Sequence, residues 1–599
     1  MIIRPKSLFV YVTDKVHFVF SKNFHTSITK ASSNKEFSKW LFRCLVIGFS
    51  FASLLLRFAI PPVLNLGATH DDELLVRLAF QIKNGNWLGE YANLGHLTLA
   101  KPAGFPLFLA LTSHLPWSQV ISVHLILILA IVSFVRELHF FGMSRRFSLI
   151  SLVFLLFFPL WYQNSMSRIY REGLLTALTF LLISVTLSAR RKIAIFDSSE
   201  SKTVRSFQVL IFFIAGLIFG FLMIVKNFWQ PAFVMFVLIT APGIFVAFRL
   251  TRRFKALLIR AFTVFIPIAI GVSIPVIAVS AMNKSHYGVF TLESFSSGQF
   301  PRTISLLSSI EPSDTRPYVQ VTADQRARAY EISPTFTQLK PTLEQPNAAG
   351  WRGSACSTIG LCDESGAWFP WELRDAAQTA GLADNATEFE STFRMISNDI
   401  ERACQTKLIV CGARGLAPGL RDPFDIPLKY IIDAEAMSIS NLIQWPTGGE
   451  GIRGVVDPSH PMYKEWKSVV PAIEPWSGPS VYQPNNYGLG DVQGLLINLY
   501  QSIWVLLVIS AMFGILIPKN SLTNPLASTL RILGFAGLAS TFLGTFLLAL
   551  LEASSGAYLT FGGSLYVLPL FPFMFLFLIS GMIRLRFFVN NFFAYRSLQ

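Results

Sequence analysis

Long apolar segments dominate the hydropathy pattern of this chain. A helix needs about 20 apolar residues to cross the hydrocarbon core of a bilayer. That criterion predicts ten membrane-spanning helices, at residues 41–62, 119–138, 148–163, 171–189, 206–225, 231–249, 258–281, 496–517, 530–551 and 564–583. The pattern therefore predicts a mainly α-helical, polytopic transmembrane bundle.

The spacing of the spans divides the chain into five segments. The longest stretch between spans, residues 282–495, is rich in Pro, Gly, Asp and Trp and contains no apolar run of spanning length. We call it the insert, and its length predicts one soluble domain placed before the last three spans. The five segments are a basic N-terminal segment 1–40, a transmembrane module 41–281 with its first outer loop at 63–118, the insert 282–495, the C-terminal spans 496–583 and a tail 584–599.

Composition supports a membrane location. Hydrophobic residues make up 52% of the 599 positions and charged residues only 14%, against about 25% in soluble domains. The formal net charge of +15 resides in short basic runs beside the spans, as expected for cytoplasmic loops next to anionic lipid rather than for nucleic-acid binding. This distribution predicts that both termini lie in the cytoplasm and that the insert lies outside it.

Four of the five cysteines lie in the insert as two close pairs. Outside the cytoplasm disulfides persist, and local pairing is the simplest of the three possible connectivities. A four-cysteine zinc site is the alternative, although the spacings differ from the usual zinc pattern. The candidates are Cys356, Cys362, Cys404 and Cys411.

The first outer loop begins with three consecutive acidic residues preceded by a histidine. They are His70, Asp71, Asp72 and Glu73, and residues 74–82 then place their apolar side chains on one helical face. The pattern predicts an amphipathic helix in the membrane interface, with the acids at its positive end. Helix capping accounts for one or two of these acids, so we interpret the cluster as a candidate catalytic site.

Basic residues follow on the same predicted side of the membrane. Lys101 begins a Lys-Pro-x-x-x-Pro element and is suited to a phosphate group, although a lysine extending along the lipid boundary is the alternative. Arg168 and Arg171 could hold a phosphate by paired hydrogen bonds, with Tyr170 and Glu172 beside them. An ion pair between Arg168 and Glu172 is the alternative there.

His286, after the seventh span, is a further candidate for the rim of the same cavity. An interface anchor is the alternative for this residue.

Taken together, the first-loop acid pair, the amphipathic helix, the Lys101 element and Glu172 resemble the GT-C superfamily of membrane glycosyltransferases. Its members include protein O-mannosyltransferases and aminoarabinose transferases, and the resemblance covers roughly residues 40–290. It implies a GT-C-like fold, a polyprenyl-phosphate sugar donor and an acceptor arriving from outside. It also implies that Asp71 or Asp72 is the base or a metal ligand, that Glu172 is a second catalytic acid, and that Lys101 neutralises the donor phosphate.

The same residues support this chemistry without the resemblance. Transfer from a lipid phosphate needs a carboxylate to accept the proton of an acceptor hydroxyl and positive charge at the leaving phosphate. That charge can come from the basic residues or from a divalent ion such as Mg²⁺ or Mn²⁺ held by Asp71 and Asp72. The acceptor, whether protein, lipid or polysaccharide, stays open.

Two other functions are compatible with a multi-span chain. A transporter or flippase of lipid-linked sugars would carry ionisable residues in mid-membrane and internal repeats. The charges within the predicted spans instead lie near the span ends, and the two halves of the chain do not resemble each other. A surface binding module anchored by helices would need far fewer than ten spans.

Overall fold

The computed structural model describes most of the chain. The described residues are 35–66, 68, 70–91, 98–195, 202–251, 254–311, 316, 318–344, 350–413, 423–444, 452–453, 455–471, 474–475, 490–518, 526–555 and 565–596. The predicted N-terminal segment 1–40 therefore lies outside the described residues, except for its last six positions.

The described residues are mainly α-helical. Helices of the first half are α1 (Lys35–Phe58), α2 (Asp72–Lys83), α3 (Gly104–Thr112), α4 (Gln119–Phe140), α5 (Arg145–Leu156), α6 (Asn164–Ser167), α7 (Arg171–Ile195), α8 (Lys202–Val225), α9 (Gln230–Thr251) and α10 (Phe254–Tyr287). Helices of the insert are α11 (Gln299–Ser308), α12 (Ala323–Ile332), α13 (Pro334–Thr337), α14 (Lys340–Leu343), α15 (Trp351–Ile359), α16 (Phe369–Thr379), α17 (Ala386–Gln405), α18 (Leu428–Gln444) and α19 (Tyr463–Val469). The last three are α20 (Gly490–Leu516), α21 (Ala527–Ser555) and α22 (Phe571–Arg596).

Within these described residues, nine helices are long and apolar enough to cross a membrane. They are Lys39–Phe58, Gln119–Phe140, Arg145–Tyr162, Arg171–Arg191, Gln208–Val225, Ala261–Tyr287, Ile497–Leu516, Ala527–Ser554 and Leu568–Phe593. The remaining predicted span, 231–249, falls in α9, whose apolar part Gln230–Pro242 is shorter. The chain is thus an integral membrane protein with a mainly α-helical bundle, as predicted.

β-Structure in the described part of the chain comprises three two-stranded sheets and an isolated bridge between Val63 and Arg168. Antiparallel pairs join β1 (Val63–Leu64) to β4 (Ile452–Arg453) and β2 (Ile310–Glu311) to β3 (Val410–Cys411). A parallel pair joins β5 (Val455–Val456) to β6 (Glu474–Pro475). The β1–β4 pair connects the residues that follow the first span to the far end of the insert.

Short contacts bring several span ends together at one end of the bundle, which we call the site end. Near the end of α1, Arg57 donates to Ser167 Oγ at 2.9 Å. At the start of α7, Glu172 accepts from Lys226, the residue after α8, at 2.6 Å. Consecutive spans therefore alternate in direction, and the loops at 59–118 and 163–170 share one side.

Helix α2 lies between the bundle and the insert. Leu75 and Ala79 pack in the core of the spans, whereas Leu74 and Leu78 pack in a second core with α11–α17 of the insert. The predicted helix is present, but residues 72–79 are all buried. The prediction that α2 lies in the lipid interface is therefore wrong. The helix has apolar side chains on two sides, and protein packs against both sides.

The insert is stapled by two local disulfides. Cys356 bonds to Cys362, and Cys404 bonds to Cys411. This is the local connectivity considered from the sequence, and it leaves none of these four thiolates for a zinc ion.

Candidate active site

The first acid of the loop, Asp71, forms a partly buried ion pair with the Lys-Pro element. Lys101 Nζ donates to Asp71 Oδ1, and the Tyr170 hydroxyl donates to the same oxygen at 2.9 Å. Asp71 precedes the first turn of α2 but makes no side-chain capping bond, so capping does not explain it. Its side chain stays 35% exposed, which leaves it accessible to a reactant.

The second acid, Asp72, is buried and held in an ion pair with Arg168. Arg168 Nε donates to Asp72 Oδ1 at 2.9 Å, and Arg168 Nη2 donates to Oδ2 at 2.5 Å. The Asp72 side chain is 0% exposed. A two-point guanidinium–carboxylate pair of this kind fixes orientation strongly, so Asp72 holds the second loop against α2.

A third pair lies beside the first two. Glu172 Oε1 accepts from Lys226 Nζ at 2.6 Å, and the Glu172 side chain is fully buried. The Lys226 ammonium also lies 4.7 Å from the centre of the Tyr566 ring. The proposed ion pair between Arg168 and Glu172 is therefore wrong, since each residue binds a partner from a distant part of the chain.

Arg171 is the fourth basic residue of this cluster. It donates through Nη2 to the Tyr170 hydroxyl at 3.2 Å, and its buried Nε finds no hydrogen-bond partner in the part of the chain that the structure describes. Four basic side chains (Lys101, Arg168, Arg171 and Lys226) thus face three acids (Asp71, Asp72 and Glu172). Four positive and three negative charges give this cluster a net charge of +1, which suits a monoanion.

Burial and charge move the two aspartate pKa values in opposite directions. Burial by itself raises the pKa of Asp71, but the nearby charges of Lys101, Arg171 and Arg168 hold that pKa well below its ordinary value. Burial raises the pKa of Asp72 to about 6 despite Arg168, and the charges of Asp71 and Glu172 act in the same direction as burial. Asp71 is therefore the more persistently ionised of the two.

The described donors suit a divalent metal poorly. No group of three or more His, Cys, Asp and Glu side chains with metal-ligating proximity occurs among the described residues. Asp71 and Asp72 direct their oxygens to Lys101 and Arg168 instead. A cation would have to displace these partners against a local positive charge, so the chemistry proposed below uses no metal.

Two further candidates take separate places around the cluster. The His70 ring lies 4.4 Å from the Trp351 ring and 4.8 Å from the Trp371 ring, and Trp371 also lies 5.2 Å from Lys101 Nζ. The aromatic residues of α15 and α16 therefore form a wall beside Lys101. His286 is exposed on the last turn of α10 and bonds locally to the Met282 carbonyl at 3.0 Å, apart from the three ion pairs.

Glu73 faces away from these ion pairs, toward His460 at 3.6 Å. Burial raises the pKa of Glu73 to about 7, above an ordinary value of 4.5. The folded protein thus holds a proton that the unfolded chain releases, so stability declines as the pH rises from about 4.5 to about 7.

We expect Glu73→Gln, which does not titrate, to remove this decline. The melting temperature of Glu73→Gln should exceed that of the native protein by more at pH 8 than at pH 5. The pKa shift limits the corresponding gain in the free energy of unfolding at pH 8 to at most about 3 kcal/mol. Thermal unfolding of both proteins at the two pH values measures the difference. Glu331→Gln, at an exposed position, is the control, and an equal offset at both pH values would contradict the prediction.

A cavity of about 580 Å³ is lined in part by residues adjacent in sequence to the cluster and by none of the cluster residues themselves. Pro102 and Asn227 line it, and each directly follows a basic residue of an ion pair, Lys101 and Lys226. Hydroxyl, amide, carboxylate and basic groups make up much of the remaining wall, among them Ser280, Lys284, Glu293, Ser297, Glu390 and Arg394. The volume lies within the range of about 300–1,000 Å³ usual for small-ligand sites.

Lys226, Asn227 and Trp371 have no assigned role in the sequence interpretation. Lys226 directly follows a predicted span, on the same side as Arg168 and Arg171. Those arginines stand out because basic residues are scarce on that side of the membrane, and the same criterion identifies this lysine. The position of Trp371 carries no comparable signal, because its contact with Lys101 joins residues 270 positions apart and depends on the packing of the insert.

Comparison with known proteins adds little to this geometry. No family model and no curated protein matches the chain. One solved structure that is similar to it is ArnT from Cupriavidus metallidurans bound to undecaprenyl phosphate, with 10% identity over 89% of this chain and 77% of that chain and a TM-score of 0.24. Values this low carry no argument about this chain, so its site rests on its own contacts.

Proposed function

We propose that this protein is a GT-C-like membrane glycosyltransferase that transfers a sugar from a polyprenyl-phosphate donor to an acceptor outside the cytoplasm. The observation that carries the proposal is the surplus positive charge at the site end. A sugar joined to a lipid through a phosphodiester carries one negative charge, which matches the net +1 of the cluster. Arg171, whose Nε has no hydrogen-bond partner among the described residues, and Lys101 are the residues that hold the phosphate.

Asp71 is the proton acceptor in this proposal. The acceptor hydroxyl oxygen attacks the anomeric carbon, the bond from that carbon to the phosphate oxygen breaks, and the polyprenyl phosphate leaves with the electron pair. The hydroxyl proton passes to Asp71, and a single displacement of this kind inverts the anomeric carbon. Asp71 suits the role because it is partly exposed, whereas the Asp72 side chain is completely buried.

Donor binding prepares this base. Lys101 pairs with Asp71, and a bound phosphate competes for the same ammonium group. Once Lys101 turns to the phosphate, Asp71 loses the partner that lowers its pKa most. Its proton affinity then rises at the moment when the reaction needs a base.

The sugar is proposed to lie in the cavity lined by Pro102 and Asn227, which follow Lys101 and Lys226 in sequence. Carboxylate, amide and hydroxyl groups are the donors and acceptors that sugar hydroxyls require, and all three kinds line this cavity. Lipid chains of the donor would lie along the exposed apolar surfaces of the spans. Basic loops opposite the site end support an extracytoplasmic position for that end and for the insert, and the membrane proposed is a bacterial inner membrane.

A transfer assay tests the proposal. The full chain is reconstituted in liposomes with polyprenyl-phosphate sugars radiolabelled in the sugar, and membrane extract supplies acceptors. We expect label to leave the donor lipid and enter an acceptor. A flippase would instead move labelled lipid across the bilayer without cleaving it, and an anchored binding module would do neither.

Lys101→Met should weaken donor binding. The variant keeps the apolar stem but removes a charged hydrogen bond worth about 1.5–3 kcal/mol, so KM for the donor should rise about 10- to 100-fold. Steady-state transfer at varied donor concentration measures the change. Lys101→Arg, which keeps the charge, should lie between Lys101→Met and the native protein, and an unchanged KM in Lys101→Met would exclude a phosphate role.

A further inference from the structure

Helix α18 of the insert carries an apolar stripe that no described residue covers. Leu428, Ile432, Ile439 and Ile443 are 69%, 56%, 40% and 38% exposed. Their spacing of four, seven and four residues places them on one side of a helix with 3.6 residues per turn. A continuous apolar stripe of this length marks a membrane or protein contact rather than an ordinary water-facing surface.

The stripe lies between a buried face and a polar face. Residues one position later along the chain form the polar face: Lys429, Asp433, Ser440 and Gln444. The buried face carries Ile431, Ala434, Ser438 and Leu442. The apolar surface of α18 therefore extends beyond the face that packs on protein. The polar face lies on the far side of the exposed stripe from that packed face, as in a helix at a bilayer surface.

Hydrogen bonds place α18 at the level of the membrane boundary. Thr545 of α21 donates to Glu435 Oε1 at 2.6 Å, and the neighbouring Gly544 packs against Leu570, in the first turn of the last span. At the end of α18, the carbonyl of Gln444 accepts from Gln501, which lies four residues inside the span Ile497–Leu516. The C-terminal half of α18 thus sits beside the first turns of two spans.

Exposed apolar side chains of those spans continue toward the stripe. On α21, the exposed Phe542 ring lies 6.5 Å from the ring of Phe546. Phe546 in turn packs against the small core that contains Ile431 of α18 and Leu550 and Ala553 of α21. On α20, Leu499 and Leu506 are 54% and 64% exposed. Exposed apolar side chains are therefore present on both of the spans that α18 contacts.

We infer that α18 is a membrane-docking helix, whose stripe contacts the acyl chains of the leaflet at the site end, most deeply at Ile439 and Ile443. This contact fixes the insert to the bilayer beside α20 and α21. The inference rests on the placement of α18 and does not depend on the reaction proposed above.

Site-directed spin labels test this contact. Ile439→Cys and Ile443→Cys are labelled in a Cys44→Ala background, since Cys44 is the cysteine outside the two disulfides, and the protein is placed in phospholipid bilayers. Collisions with oxygen, which concentrates in lipid, are compared with collisions with a water-soluble nickel chelate. Leu506→Cys is the lipid reference, Asp384→Cys the water reference, and Ser440→Cys a matched position on the polar face.

We expect labels at 439 and 443 to resemble the label at 506, and labels at 440 and 384 to favour the nickel chelate. Nickel-accessible labels at 439 and 443 would overturn the inference. Labels shielded from both reagents would also overturn it, since a protein partner would then cover the stripe.

A measurement on the native protein tests the same contact without relying on the folding of the cysteine variants. Phospholipids with a photoactivatable group in the acyl chain should attach to the peptide containing residues 428–444 and not to the peptide around Asp384. Absence of adducts on α18, with adducts present on α20, would count against the contact.

Discussion

Asp71→Asn should abolish sugar transfer while leaving the protein folded in the membrane. Asparagine keeps the size and the hydrogen-bonding oxygen that faces Lys101 and Tyr170, but it cannot accept a proton. Loss of a general base costs about 10²- to 10⁴-fold in rate. The initial rate of transfer at saturating donor measures the effect, with KM for the donor recorded in the same experiment.

Asp384→Asn is the matched control for this variant. Asp384 is an exposed acid of the insert, so the same change there should leave the rate unaltered. Size-exclusion profile and melting temperature show whether Asp71→Asn remains folded. Native transfer rates in a folded Asp71→Asn protein would rule out Asp71 as the base, even if the protein proved to be a glycosyltransferase.

Arg168→Met should cause the largest loss of stability among the site variants. It leaves the completely buried Asp72 carboxylate without its two-point partner, and removing one member of a buried ion pair typically costs about 3–5 kcal/mol. We expect a lower melting temperature, and a shorter half-life in detergent at a fixed temperature. A fall no larger than that of Arg402→Met, at an exposed position of the insert, would contradict a structural role for the pair.

The double variant Arg168→Met with Asp72→Asn separates the pair from its surroundings. Removing both charges leaves no buried ion unpaired, so the double variant should be more stable than Arg168→Met alone. Interacting residues deviate from additivity in this way. If the two losses simply add, Arg168 and Asp72 do not stabilise the protein through each other.

The structure gives Asp71 and Asp72 different surroundings and different exposure. Their adjacency in sequence gives no basis for choosing between them, because both follow the same span and precede the same helix. The fold turns Asp72 inward to Arg168 and leaves Asp71 beside Lys101 with part of its surface open. A structural role for one and a chemical role for the other follow from this difference in exposure.

Several features of the protein are readable from its sequence because they depend on local composition. Runs of about 20 apolar residues define the spans. The acids before α2, the Lys-Pro element and the arginines before α7 stand out because charges are costly near hydrocarbon and need a reason to be there. The two disulfides follow from cysteines that are close in sequence. Each of these signals is contained within a single short stretch of chain.

The ion-pair partner of each charged residue at the site depends on the tertiary structure. Asp72 and Arg168 are separated by 96 positions and Glu172 and Lys226 by 54, so no local pattern distinguishes these pairs from an Arg168–Glu172 pair one turn apart. The burial of α2 and the wall formed by Trp371 likewise depend on how the insert packs. Local hydropathy reports how much each segment gains by leaving water, whereas the choice of partner is made by the packing of distant segments that compete for the same buried charges.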